Sequence, residues 1–234
     1  MLKIDLHIHT IHSGHAYGTF YDIVAEARRK KMDIIGISDH GPSMVGVSGY
    51  IHFNMGKRVP QYDDLKILWG CEANILDGEG TLDLNTINIE RLDYIAVSLH
   101  QHCGYKDLGP EKNTEALLKA LAKPYVKILT HPESQQYPIQ DFDKICQFAI
   151  DNDVLLELNL SYLKKRWDAK KEHFKKMIEI VKKNNAKLII GSDTHFVHEL
   201  GDDSILDKLG YELGLTQEII INNYPEELLE FLKK

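Results

Sequence analysis

The chain has 234 residues, 43% hydrophobic and 27% charged, which is ordinary globular material with enough length for one large core. No apolar run approaches the roughly 20 residues that cross a bilayer, and no basic-then-apolar leader opens the sequence, so a membrane-spanning helix is excluded and a cytoplasmic protein is expected. The formal net charge of -7 invites neither nucleic acid nor an anionic membrane, and three scattered cysteines, Cys71, Cys103 and Cys146, argue against a disulfide framework.

In chain order, seven short runs read as strands: KIDLHI, DIIGIS, LKILWGCEANI, LDYIAVSL, VKILTH, VLLELNL and AKLIIGS. They are too continuously apolar to leave a face in water. Segments of helical period separate most of them: FYDIVAEARRKKM after the first, TEALLKALA after the fourth, FDKICQFAIDN after the fifth and AKKEHFKKMIEIVKKNN after the sixth. That alternation predicts parallel strands covered by helices, an α/β architecture. Two connections depart from it. GPSMVGVSGYIHFNMGKRVPQ, after Asp39 and His40, is long, glycine-bearing and weakly periodic, as a loop over a site would be. DGEGTLDLNTINIER reads as turns with at most a short helix. PEELLEFLKK is helical, with Pro225 in its first turn. No linker, repeat or low-complexity segment interrupts residues 1–234, which are expected to form one domain.

Chemistry-bearing residues collect at one end of these strands. The first ends in His7 and His9, the second in Asp39 and His40, the third in Glu72, the fourth in His100, the fifth in His131 and the seventh in Asp193 and His195; the sixth offers no obvious ligand. Strand alternation puts His7 and His9 on one face with Asp5 and turns Leu6 and Ile8 to the other. His15 follows from the next loop. The four histidines between positions 7 and 15 alternate with Leu6, Ile8 and Ile11, whereas the histidines of a purification tag run consecutively. In parallel α/β folds the carboxyl ends of the strands form the functional face. So many imidazoles and acids gathered there need partners, and divalent zinc, manganese or iron would supply them.

DLHIHT, SDHG, CEAN, SLH, THP and GSDTH, in this order from residue 5 to about 195, resemble the PHP family, named for polymerase and histidinol phosphatase domains. HAYGT, DHGPSM and HFNM look most like its small stand-alone bacterial phosphatases. The resemblance implies a distorted seven-stranded (βα)7 barrel, TIM-like, with the metal site at the C-terminal ends of the strands, and hydrolysis of phosphate esters. It also implies three metal ions, usually zinc. Carried over by position, His7, His9, Glu72 and Asp193 would hold the first, Glu72, His100 and His131 the second, and His15, His40 and His195 the third, with Glu72 bridging two.

Such a cluster stays positive despite Glu72 and Asp193, so the acidic global balance does not repel a small phosphorylated substrate. Hydroxide generated at the metals would attack phosphorus, and no protein nucleophile is required. Arg58, in the long loop with His52, is a candidate phosphate clamp, against a solvated loop arginine. His102 is a candidate substrate contact, donating a proton to the leaving group, and Asp39 could orient His40 or another ligand from behind. His12 falls outside the implied ligand set, and His173 and His198 are assigned no role. The basic run Lys164, Lys165, Arg166, Lys170 and Lys171 precedes or begins a helix; a solvated face is its default reading, with substrate contact open. Competing readings are a histidinol-phosphate phosphatase, a phosphodiesterase acting on oligonucleotide ends, an amidohydrolase, which the absence of a strand-end lysine disfavours, and a structural metal-binding module.

Overall fold

The computed structural model describes residues 1–233. Seven strands, β1 (Ile4–Ile8), β2 (Ile34–Ile37), β3 (Lys66–Asn74), β4 (Tyr94–Ser98), β5 (Val126–Leu129), β6 (Leu155–Asn159) and β7 (Leu188–Gly191), pair in parallel in their chain order. A single parallel bridge between Ile8 and Thr194 brings the last strand back to the first, so the sheet curls into a nearly closed, distorted (βα)7 barrel. Below that bridge the seam is filled from outside the strands. The Asn222 amide donates to the carbonyls of Ile4 and Ile190, and its oxygen accepts from the Ile190 N–H at 2.8 Å.

The intervening helices are α1 (Phe20–Arg29), α2 (Thr86–Arg91), α3 (Pro110–Leu121), α4 (Phe142–Asp151), α5 (Leu160–Lys183), α6 (Leu206–Leu213) and α7 (Pro225–Lys233). A capping box between Thr19 and Asp22 starts α1, which buries Ile23, Val24 and Ala27 against Ile8, Ile35 and Ile67. Helices α3, α4 and α5 cover the outer faces of β3 to β7. Inside the barrel, Leu6, Leu68, Tyr94, Ile128 and Ile189 form an apolar floor that Leu228 and Leu232 of α7 plug from below. Each such side chain contributes about 1.5–3 kcal/mol on burial. This floor lets the opposite end be spent on polar residues.

Three local expectations are corrected. Strand β1 pairs Asp5 with Ile35 but Ile8 with Ile37, so one extra residue bulges between them and breaks the alternation. Ile4 and Leu6 therefore face the interior floor, Ile8 packs under α1, and Asp5 turns away to accept from the backbone N–H groups of Ser192 and Gly201. Helix α5 begins at Leu160, at the very end of β6, because the Asn159 side chain caps the Tyr162 N–H at 2.9 Å; the whole basic run thus lies inside the helix. The short α6, stopped by Gly214 at φ 67°, has no counterpart in the sequence reading. Among the described residues, no helix is long and apolar enough to cross a membrane.

Candidate metal centre

The centre is built around one carboxylate. Glu72, fully buried on β3, points its Oε1 at His100 Nε2 (3.3 Å) and His131 Nε2 (3.0 Å), and its Oε2 at His7 Nε2 (3.4 Å), His9 Nε2 (3.4 Å) and His40 Nδ1 (3.0 Å). Asp193 Oδ1 lies 3.4 to 3.5 Å from nitrogens of His7, His9 and His195. His15, the most exposed of the group, stacks on His40 at 5.0 Å between ring centres and stands 4.8 Å from His195. All nine residues that the family pattern names thus converge on one rim. Donor atoms of six of them form three overlapping triads, His7–His9–Glu72, His40–Glu72–His100 and His9–His40–His195, each within 4.8 Å.

The arrangement fits metal ions better than it fits itself. Glu72 Oε2, His40 Nδ1 and His100 Nε2 are buried yet make no hydrogen bond, although buried polar atoms ordinarily find partners. The far sides of the rings, by contrast, are anchored. His7 Nδ1 donates to Glu157 Oε1 at 2.6 Å and His100 Nδ1 to Asn74 Oδ1 at 2.8 Å. Ser13 Oγ donates to Asp39 Oδ1 at 2.6 Å, so it accepts from His9 Nδ1 at 2.9 Å. Each anchor turns an Nε2 inward, as second partners of metal-ligating histidines do.

Electrostatics separates the ring nitrogens. Burial pushes His9 well below its ordinary pKa, reinforced by the His40 and His195 rings, and His100 down to about 4. These rings are neutral donors at neutral pH. Burial acts the same way on His7, but the carboxylates of Glu157, Glu72 and Asp193 overcome it and hold that imidazole well above its ordinary value. Burial would lower His131 as well, but Glu72, with Asp193 and Glu157, overcomes it and raises that ring. Burial would lift Glu72 and Asp193, yet the surrounding imidazoles, His100, His7 and His40 for Glu72 and His7, His9 and His195 for Asp193, keep both strongly anionic. A metal ion bound here would compete with protons at His7 and His131.

The sequence reading missed Glu157. It lies on β6, where Leu156 and Leu158 pack outward and Glu157 and Asn159 face in, and besides His7 it accepts from the His131 N–H at 2.9 Å and from Asn159 Nδ2 at 3.0 Å. The signal was present: one acid inside an apolar strand, two residues before an asparagine. Glycine makes the room, because a Cβ at Gly191 would sit 2.1 Å from Glu157 Oε1 and 2.8 Å from His7 Cβ. Two site residues also hold left-handed backbone, His131 at φ 32° and Asp193 at φ 56°, a cost that the tethers around them sustain.

The remaining candidates lie around the cluster. Asp39 reaches His9 through Ser13 and also accepts from Thr10 and from His52 Nε2 at 3.0 Å, while the His40 backbone N–H donates to the same Ser13 hydroxyl. His12 stacks on His52 at 4.3 Å and hydrogen-bonds Ser48, at one edge of a cavity of about 670 Å³ that Phe20, Met55 and Trp69 also line. Arg58 sits exposed at the far end of the 3-10 turn His52–Arg58 and makes no ion pair among the described residues. His102, exposed after β4, lines a second cavity beside α5. His173 packs on Phe142 from α5, and His198 stands in a turn beyond the seventh strand.

Residues 5–190 match the PHP domain model. The chain belongs to the PHP family. A protein of Clostridium botulinum named "Probable phosphatase" is 38% identical over 98% of this chain and 94% of its own length. Among solved structures, histidinol phosphate phosphatase of Lactococcus lactis, complexed with zinc, L-histidinol and phosphate, shares the fold at TM-score 0.55 and 16% identity, covering 90% of this chain and 91% of that one. A chain of an archaeal ribonuclease P structure with mature tRNA does so at 0.62 and 14%, covering 98% and 91%. Those two likenesses establish the barrel only. Family membership, the full-length likeness to a protein named as a phosphatase and the histidine–carboxylate cluster together make this PHP chain a metal-dependent phosphatase.

Proposed function

We propose that this PHP chain hydrolyses phosphomonoesters of a small metabolite at three divalent ions, zinc before manganese or iron. The observation that carries the reading is Glu72: one buried carboxylate faced by five imidazoles, with an oxygen that makes no hydrogen bond, has the form of a bridge between ions. His7, His9, Glu72 and Asp193 would hold one ion, Glu72, His100 and His131 a second, and His15, His40 and His195 a third. Bound there, the ions supply water activated near neutral pH and offset charge on the phosphoryl oxygens.

The protein's own part is orientation. Glu157, Asn74 and the Asp39–Ser13 pair fix which nitrogen of His7, His100 and His9 faces inward, and the apolar floor keeps water out from below. Exposed His102, two residues after His100, would protonate a leaving oxygen. The test combines metal analysis with phosphate release before and after chelation, on a panel of monoesters that includes histidinol phosphate, with a short oligonucleotide alongside. Close to three ions per chain and chelator-sensitive release from monoesters are expected. Loading that never exceeds one ion, with no chelator-sensitive release, overturns the reading; preference for the oligonucleotide would make it a diesterase.

A further inference from the structure

A second cavity, of about 590 Å³, runs along α5 and is separated from the metal cluster by Tyr162, which lines the cavity and packs on His131. Its inner end is Tyr162, whose ring lies 4.9 Å from that of His131 and whose hydroxyl is pushed up to about 12 by burial, with Asp193 and Glu72 adding to the rise. One side is formed by Gln101 and His102, directly after His100, and by Gln136. The other side is a stripe of α5: Tyr162, Arg166 and Lys170 recur every four residues and so share a face. No acidic residue lines the cavity.

The charges of α5 are sorted by face. Lys164 pairs with Asp202, Lys171 and Lys175 with Glu212, Lys176 with Asp143 and Glu179, and Lys165 donates to the Ser161 hydroxyl. Arg166 and Lys170, the two cations that line the cavity, make no ion pair among the described residues. In a chain with 35 acidic and 28 basic residues, neutralising partners are plentiful. Two unpaired cations over a polar cavity next to a phosphate-cleaving centre have the form of an anion subsite, and a guanidinium suits a phosphate or carboxylate because it donates in a planar fork.

We propose that the substrate's leaving alcohol carries a second anionic group, a phosphate or a carboxylate, which Arg166 and Lys170 bind while the scissile phosphate sits at the metals. The inference rests on the phosphatase reading and narrows its substrate class. With a rise of 1.5 Å per residue, Arg166 lies about 6 Å and Lys170 about 12 Å along the helix from Tyr162, which sets the spacing between the two groups. Specificity then comes from the helix that follows β6, the one strand whose end offers no metal ligand.

The test uses metal-loaded protein and α,ω-alkanediols from propane to hexane, each as the monophosphate, the bisphosphate and the ω-carboxylate of the monophosphate. At the matching length, a dianionic compound is expected to exceed its monophosphate in kcat/KM by about tenfold or more. In Arg166→Ala/Lys170→Ala that ratio is expected to fall to about twofold or less, while Lys171→Ala, whose ammonium pairs with Glu212 away from the cavity, keeps it. Calorimetry with the corresponding alkane bisphosphonates and monophosphonates gives the same comparison without turnover. Equal kcat/KM across the series, or a preference that survives the double variant, overturns the subsite. If no compound yields chelator-sensitive phosphate, the phosphatase reading fails, and the calorimetric ratio alone decides the subsite.

Discussion

Two buried carboxylates stand behind the metal-facing rings on opposite flanks, and they act differently. On the β1–β2 flank Asp39 reaches His9 only through the Ser13 hydroxyl, and shares its oxygens with Thr10 and His52. On the β5–β6 flank Glu157 touches His7 directly and also holds the left-handed turn at His131. The first flank is a network in which one bond can be replaced by another. The second is a single strut, so its loss is felt at two ligands at once. The flanks differ outside as well: an aromatic-lined cavity with His12 and His52 at its edge lies on one, and a polar cavity with two unpaired cations on the other.

The largest effect is expected at the residue both flanks share. Glu72→Gln should lower phosphate release on the order of a thousandfold and reduce metal content, as read by turnover and elemental analysis. Glu157→Gln should weaken metal binding by about 10- to 100-fold, measured by competition with a chelator. Asp39→Asn should fall near the lower end of that range. Equal losses at 39 and 157 would erase the distinction between strut and network.

Acidity offers a further contrast. The carboxylates around His7 and His131 raise both imidazoles above their ordinary pKa, so ion uptake should release protons and tighten as pH rises, seen as base consumed during titration. Glu133, buried beside the His131 turn with no hydrogen-bond partner, has its carboxyl pushed up to about 8 by burial. The unfolded chain ionises this group first, from about pH 4.5, so its burial progressively destabilises the fold between there and about pH 8. Glu133→Gln in metal-free protein should therefore gain on the order of 4 kcal/mol at the upper end and converge with the parent at the lower. Denaturant midpoints across pH check both ends. The smallest change is expected for His12→Ala, within about 0.5 kcal/mol of stability.

Apolar strand runs separated by helical segments were legible because hydrophobic period is local, and histidines at strand ends were legible because parallel strands share one functional end. Asn222 and Glu157 were less so. A seam plug at Asn222 has meaning only once β1 and β7 have met, and an acid in VLLELNL becomes a strut only when Gly191 on the neighbouring strand leaves space for it.

The sequence by itself determined seven parallel strands covered by helices and the residues gathered at their carboxyl ends, since those follow from periodicity and position along a strand, while the barrel was implied by the resemblance to the PHP family. Tertiary structure decided which way each residue faces. A one-residue bulge in β1 turned the Asp5 side chain off the face that carries the His7 and His9 rings, and an asparagine cap started α5 early enough to lay Arg166 and Lys170 along a cavity. Both outcomes depend on register and capping between segments, which no window of local sequence contains.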